Sequence, residues 1–209
     1  MEQITKEQFA SLKNVARESA TRSSEALSKL IGIPVKLKMT RTHVTEAERL
    51  ARILAAPLDS VSAVILPVTG DGGNMGSSVL ISSIEESHRL AELVMKRPRG
   101  SLTKLDALAT SAITETANII GGTFLSVISN TAGIPLIQSV PSLLTDDTMQ
   151  EVMDAAIAKL HDGGNKLPVA FEIDFALSTT TEEIITHYVF FLEVAFVQKL
   201  LEALEKSGK

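Results

Sequence analysis

The sequence predicts an α+β fold made of two pseudo-symmetric halves, with an antiparallel or mixed central sheet flanked by helices. Two observations support this prediction. Residues 14–40 align with residues 115–141 at a constant offset of 101 and without a gap. Each half also follows one order of apolar patterns: helix, strand, helix, strand, strand, helix. We therefore expect a single domain over residues 1–209, with internal repeats of about 1–100 and 101–209.

Each half opens with a long apolar-periodic segment that ends in Gly-Ile-Pro. This triplet stands at 32–34 in the first half and at 133–135 in the second. A glycine just past the last periodic residue is typical of a helix C-terminus, and a following proline prevents the helix from continuing. Identical residues between the aligned segments are few, so the shared pattern carries the prediction of a repeat.

The remaining elements of the first half follow from its periodicity. An extended stretch at 35–40 precedes a short helical pattern at 45–54. Strands are predicted at 62–68 and 77–82, and a helix at 84–97 closes the half. The glycine-rich segment GDGGNMG lies between the two strands. It therefore predicts a hairpin turn, because a phosphate-binding glycine loop would join a strand to a helix.

The second half repeats this order. An extended segment at 135–140 leads to a helix predicted at 147–160. Residues 169–177 alternate apolar and acidic side chains, which indicates a half-buried strand, and another strand follows at 184–194. A helix at 196–206 ends the half. Short turns between adjacent strands imply antiparallel pairing.

Composition and charge argue against several classes of function. The net charge is −5 and the longest cationic stretch is KRPRG at 96–100, so we expect no nucleic-acid partner. The absence of cysteine excludes disulfides, thiolate zinc sites and a cysteine nucleophile, and it fits a reducing compartment. Residues 116–145 are uncharged and long enough to span a membrane, but glycine, asparagine and proline interrupt them. We therefore expect a soluble protein without metal or membrane insertion.

A narrow polar stripe on the leading helix of the second half is the candidate functional site. Ser111, Glu115, Asn118 and Gly122 are spaced by four, three and four residues, which places them on one helical face. Glu115 is the only charged side chain of residues 107–145. A solvated helix face with one acid and one amide is a common structural alternative. The functional alternative is an amide that holds a water molecule beside a carboxylate that pairs with a partner lysine or acts as a general base.

The pattern Ser-x-x-x-Glu-x-x-Asn, followed by Pro141 twenty-three residues after Asn118, resembles the signature of the CheC/CheX/FliY phosphatases. The duplicated halves resemble CheC in particular, and the likeness covers essentially the whole chain. Proteins of this family remove the phosphoryl group from the aspartyl phosphate of CheY, the chemotaxis response regulator. The resemblance implies a cytoplasmic phosphatase that acts on a phosphorylated CheY-type receiver domain, with Pro141 shaping the strand beside the helix.

The resemblance also implies a role for each residue of the stripe. Asn118 would orient the attacking water, and Glu115 would pair with the regulator's active-site lysine. Ser111 would help to fix the helix face. Apart from the resemblance, the small residues Gly122 and Gly121 would let another surface come close to this face. Catalysis of this kind consists mainly of placing a water in line with an acyl phosphate. The phosphatase itself needs no cofactor, and Mg²⁺ is expected in the response regulator.

The first half lacks this signature, although CheC proteins commonly carry two such sites. At the offset of 101, Asn14 takes the place of the glutamate and Arg17 that of the asparagine, while Ala10 and Thr40 replace the serine and the proline. An arginine donates hydrogen bonds but accepts none, and it would repel a partner lysine. We predict that this degenerate first site is inactive; a shifted register that uses Glu18 is the alternative.

Two other functions stay open from the sequence. The chain could be an adaptor, non-catalytic or weakly catalytic, that binds phosphorylated CheY, the receptor deamidase CheD, or both. The fold is shared with flagellar switch proteins that bind CheY without hydrolysis. The chain could also be an unrelated α+β scaffold with a coincidental stripe. The retained stripe favours the enzyme, because a pure adaptor has no need for a water-positioning pair.

Overall fold

The computed structural model describes residues 5–46, 49, 60–70, 73–158, 169–180 and 183–207, which form one sheet with helices on both faces. The described strands are β1 Lys36–Glu46, β2 Val61–Gly70, β3 Gly73–Ser83, β4 Leu136–Gln138, β5 Ser142–Asp147, β6 Val169–Ser178 and β7 Glu183–Leu192. The described helices are α1 Lys6–Ile31, α2 Ile84–Met95, α3 Ala107–Ala132, α4 Met149–Ala158 and α5 Val194–Ser207. None of these helices has the length and apolar character needed to cross a membrane. The α+β fold class predicted from the sequence is confirmed.

The strand order is symmetric between the two halves of the chain. The strands lie in the order β1-β6-β7-β3-β2-β4, and β5 pairs with β2 beside β4. Exchanging β1 with β4, β2 with β6 and β3 with β7 reverses this order and leaves the pairings unchanged. Each half therefore contributes a hairpin whose outer strand pairs with the first strand of the other half. The described pairings are antiparallel throughout.

The leading helices α1 and α3 correspond residue for residue at the offset of 101. Both span 26 residues and end at a left-handed glycine, Gly32 with φ +80° and Gly133 with φ +66°. The serine four residues before each glycine accepts a hydrogen bond from a backbone N–H that follows the helix, that of Val35 at 2.9 Å in the first half and that of Leu136 at 3.1 Å in the second. Glycine adopts the left-handed conformation without the steric cost that a Cβ atom brings, which explains its place at the end of both helices.

The larger apolar cluster fixes α3 against the centre of the sheet. Phe190 and Phe191 point to opposite faces of β7, as alternation along a strand requires. On the larger face, the ring of Phe124 in α3 lies 5.7 Å from the Tyr188 ring and 5.6 Å from the Phe190 ring. Such aromatic pairs contribute roughly 0.5–1.5 kcal/mol beyond their burial. Because the inner face of α3 is held in this way, the position of its outer face is fixed too.

Two predicted boundaries differ from the structure. Residues 142–147, which contain the predicted start of a helix, form β5 on the edge of the sheet, and α4 begins at Met149. The Thr148 N–H donates to the Glu151 carboxylate at 2.7 Å, and this contact caps the helix at its observed start. The extended stretch after α1 continues to Glu46, so residues 45 and 46 of the predicted helix belong to β1. Apart from residue 49, the remainder of the predicted helix at 45–54 lies outside the described residues.

The segment that joins the two halves wraps around a buried carboxylate, Glu92 of α2. The Glu92 side chain accepts hydrogen bonds from the N–H groups of Gly100 at 2.9 Å and Leu102 at 2.7 Å and from the Ser101 hydroxyl at 3.4 Å. Burial raises the pKa of Glu92, but the hydrogen bonds outweigh this effect and hold the pKa below its ordinary value. The ionised carboxylate therefore organises the connection between the repeats.

Replacing Glu92 by alanine is expected to lower the free energy of unfolding by about 1–3 kcal/mol, because two N–H groups and a hydroxyl lose their acceptor. Urea denaturation at neutral pH measures this loss. Since the pKa is lowered in the folded state, the stabilisation is present above the ordinary glutamate pKa and disappears as the pH falls through the lowered value. The wild-type and variant curves should thus converge in acid. Glu202 lies on the exposed face of α5 and serves as the control. A loss of unfolding free energy in Glu92→Ala no larger than that in Glu202→Ala would contradict the structural role of Glu92.

Candidate functional site

The predicted stripe lies on the solvent-facing side of α3. Ser111, Glu115 and Gly122 are exposed and Asn118 is half-buried, while the opposite side of the helix packs in the core. In the part of the chain that the structure describes, the side chains of Ser111 and Glu115 make no hydrogen bond or ion pair. The structure thus brings the four residues together on one rigid face and leaves the carboxylate available to a partner.

Asn118 contacts the neighbouring strand through its amide. The side-chain nitrogen Nε2 of Gln138, in β4, donates a hydrogen bond to Asn118 Oδ1 at 3.0 Å. An amide oxygen has two lone pairs, so Asn118 keeps one acceptor position and both of its N–H donors. The side chain is therefore anchored on one side and can still hold a water molecule on the other.

Gly121 allows the sheet to approach α3 directly beneath the stripe. A Cβ atom at this position would collide with Oε1 of Gln138 and with the hydroxyl oxygen of Tyr188. Glycine inside a helix costs about 1 kcal/mol relative to alanine, and this close approach explains why it is present. The expectation that Gly121 admits another surface is met by β4 and β7 of the same chain. At Gly122 no described atom lies within 4 Å of the place that a Cβ would take, so packing does not require glycine there.

One exposed apolar side chain lies on the helical face of the stripe, and two others are exposed in and after the neighbouring strand β4. Leu108, one turn before Ser111, is 58% exposed, and Ile137 and Val140, in and after β4, are 67% and 81% exposed. Pro141 lies half-buried between β4 and β5, and its role in shaping the adjacent strand stays a prediction.

A cavity of about 360 Å³ lies elsewhere, at the C-terminal end of α1 beside α2. No stripe residue lines it. Its walls are formed by Ile31, Gly32, Ile33, Arg89, Glu92, Leu93, Lys96, Arg97 and Arg99. Within the described ranges, no group of three histidine or acidic residues is placed to hold a metal ion.

The corresponding face of α1 has different contacts as well as different residues. Asn14 and Arg17 are both exposed, and Arg17 Nη1 donates a hydrogen bond to Asn14 Oδ1 at 3.2 Å. Glu18, the alternative acid, is paired with Arg22 at 2.6 Å. Asn14 and Arg17, the two residues of the degenerate first site, are therefore hydrogen-bonded to each other. The inactivity of this face of α1 stays a prediction.

No protein-family model matches the sequence. The structure, however, superimposes on the X-ray structure of Thermotoga maritima FliY with a TM-score of 0.77 and 17% sequence identity, covering 99% of this chain and 100% of that one. The chain has the CheC/CheX/FliY-type fold. The resemblance predicted from the stripe and the repeat is thereby confirmed for the fold.

Two further solved structures share the CheC/CheX/FliY-type fold with this chain. FliM of Helicobacter pylori, from a FliM–SpeE complex, matches with a TM-score of 0.67 and 9% identity over 99% of this chain and 98% of that one. CheX of Borrelia burgdorferi, from a CheX–CheY–BeF₃–Mg²⁺ complex, matches with a TM-score of 0.52 and 16% identity over 85% of this chain and 97% of that one. At these identities the likeness shows the fold alone, so the function has to be argued from the site.

Gln138 contacts the candidate site through Asn118, and the sequence does not single it out. One signal for it exists: at the offset of 101 this glutamine corresponds to Leu37, so a polar residue stands in β4 where β1 has a buried apolar one. The CheC/CheX/FliY-type fold places β4 beside α3, and that neighbourhood cannot be derived from the local pattern. The roles of the predicted site residues stay predictions.

Proposed function

We propose that this protein hydrolyses the aspartyl phosphate of a CheY-type receiver domain. The observation that carries the proposal is the available Glu115–Asn118 pair on the outer face of α3. The chain that presents this pair has the fold of FliY and of a CheX that was crystallised with CheY, BeF₃ and Mg²⁺. In this proposal Asn118 orients the attacking water and Glu115 pairs with the active-site lysine of the receiver.

The reaction requires little from the phosphatase except that it positions the attacking water molecule. A water molecule attacks phosphorus in line with the aspartyl oxygen, the P–O bond to the aspartate breaks, and the aspartate carboxylate is restored. The water oxygen and one of its protons leave with inorganic phosphate, and the other proton passes to the solvent or the phosphate. The leaving group is good, and Mg²⁺ in the receiver stabilises the charge of the phosphoryl oxygens. Holding the water in line supplies the remaining rate enhancement.

The described contacts suit each role. Asn118 has a free lone pair and two N–H donors beyond its bond to Gln138, so it can accept from and donate to one water molecule. Glu115 lies three residues earlier, one helical turn away, and its carboxylate has no partner among the described residues. Docking of a receiver on this face would also cover the exposed side chain of Leu108, one turn before Ser111.

The direct test is to mix the protein with a phosphorylated CheY-type receiver and to follow loss of the phosphoryl group. We expect catalytic amounts of the wild-type protein to accelerate dephosphorylation. Replacing Glu115 by alanine is expected to lower kcat/KM by about tenfold, mainly through KM, because a charge-assisted contact with the receiver is lost. Glu205→Ala, an exposed acid on α5, is the matched control for the charge change and should leave kcat/KM unaltered. The absence of any acceleration by wild type would overturn the proposal.

An adaptor without hydrolysis is the second candidate. FliM structures with this fold come from complexes with SpeE and with FliG, so proteins of this fold assemble with partners. The sequence resemblance implies CheD as a further partner of this chain. Binding to a receiver loaded with beryllofluoride, without acceleration of dephosphorylation, would favour the adaptor. Co-purification with CheD would test that partner separately.

A further inference from the structure

We infer that Gln138 is a positioning residue that holds the amide of Asn118 in place for the reaction, an inference that rests on the proposed function. Gln138 lies in β4, and its backbone is fixed by pairing with Val68 of β2. Its Nε2 donates to Asn118 Oδ1 at 3.0 Å. The contact joins the exposed helix face to the sheet, whose position does not depend on a partner.

The other end of the Gln138 amide lies in the core. Its Oε1 is buried, and both this atom and the Tyr188 hydroxyl border the position where Gly121 would carry a Cβ. Gln138 Oε1 has no hydrogen-bond partner within the described residues. Tyr188 is fully buried, and burial raises its pKa, so the hydroxyl keeps its proton at neutral pH and is a donor. Gln138 is therefore confined between a core tyrosine and the site asparagine.

The first half of the chain shows that the fold itself does not require this arrangement. At the offset of 101, Ala20 stands where α3 has its glycine, and Leu37 stands where β4 has its glutamine. Both are 5% exposed and pack as apolar core residues. The same helix carries Arg17 where α3 has its asparagine. The second half therefore has a glycine, a glutamine and an asparagine at these three positions, and the first half, which lacks the signature, has none of them.

The contact matters because the terminal torsion of an asparagine side chain is broad when nothing restrains it. An amide that samples many orientations holds the water in line for only part of the time, which reduces the rate of the chemical step. Gln138 is half-buried, and its side chain is less exposed to solvent than that of Glu115. Its removal should therefore lower kcat and leave the affinity for the receiver nearly unchanged.

The test compares wild type with Gln138→Leu, which copies the residue of the first half, and with Gln138→Met as a second variant of similar volume. We expect kcat to fall by about tenfold or more with KM within about twofold of wild type. Gln150→Leu, an exposed glutamine on α4, is the matched control and should be neutral. The hydrogen bond is checked without activity by NMR. One Nε2 proton of Gln138 should be protected from exchange with water, and Asn118→Ala should abolish that protection.

Each result separates the inference from the proposed function. An active wild type with unchanged kcat in both Gln138 variants would overturn the positioning role and leave the phosphatase proposal standing. A rise in KM equal to the fall in kcat/KM would also overturn it, since Gln138 would then shape docking. An unprotected Gln138 amide would contradict the hydrogen bond itself. An inactive wild type would overturn the proposed function, and the catalytic part of the inference with it.

Discussion

Replacing Asn118 by alanine is expected to lower the kcat of receiver dephosphorylation by about 100-fold or more, the range found when a group that orients or stabilises the reacting atoms is removed. Alanine can neither accept from nor donate to the water, whereas Asn118 keeps one lone pair and two N–H groups for this purpose. KM should change little, because the proposed contact of Glu115 with the receiver remains. Single-turnover and steady-state phosphate release, measured over a range of receiver concentrations, separate the two constants.

Asn130→Ala is the matched control, since it removes another amide from α3 at a position outside the stripe. It should leave kcat unchanged. The degenerate first site supplies a second comparison, in which Asn14→Ala and Arg17→Ala should stay within about twofold of wild type. Acceleration that survives Asn118→Ala would contradict the site. A large loss on substitution of Arg17 would contradict the inactivity of the first half.

The parts of the fold that depend on local chemistry were predictable from the sequence. Gly32 and Gly133 end their helices because a left-handed residue is needed at a helix C-terminus, and the proline that follows two residues later confirms the stop. The grouping of Glu115 and Asn118 on one face follows from the helical period alone. These features need no knowledge of which element lies next to which.

The features that the sequence did not reveal depend on contacts between distant elements. The sequence does not show which surface approaches Gly121, because its neighbours Gln138 and Tyr188 lie 17 and 67 residues further along the chain. The exchange of first strands between the halves is likewise invisible to local periodicity, because either hairpin edge could accept either strand. β5 escapes prediction because its segment, SLLTDD, has only two apolar residues and lies on the edge of the sheet.

Alanine substitutions at the two adjacent glycines of α3 are expected to have opposite effects on stability. Gly122→Ala should raise the free energy of unfolding by up to about 1 kcal/mol, because alanine has the higher helix propensity and nothing lies near the added methyl group. Gly121→Ala gains the same propensity but forces its methyl group against Gln138 and Tyr188. Overpacking of this kind costs about 1–3 kcal/mol, so the net change should be destabilising. Urea denaturation of both variants measures whether each substitution raises or lowers the free energy of unfolding.

The destabilisation by Gly121→Ala depends on which neighbouring side chain moves to make room for the methyl group. Tyr188 is fully buried, and its ring is held by Phe124 at 5.7 Å and by Phe190 at 5.1 Å, so it has little room to move. Gln138 is the more flexible partner, but displacing its amide breaks the bond to Asn118. Gly121→Ala should therefore reduce dephosphorylation even where the protein remains folded. Gly122→Ala should keep the catalytic step and weaken receiver binding, since its methyl group stands on the docking face. Equal stabilisation by both alanines would contradict the close approach of the sheet to α3.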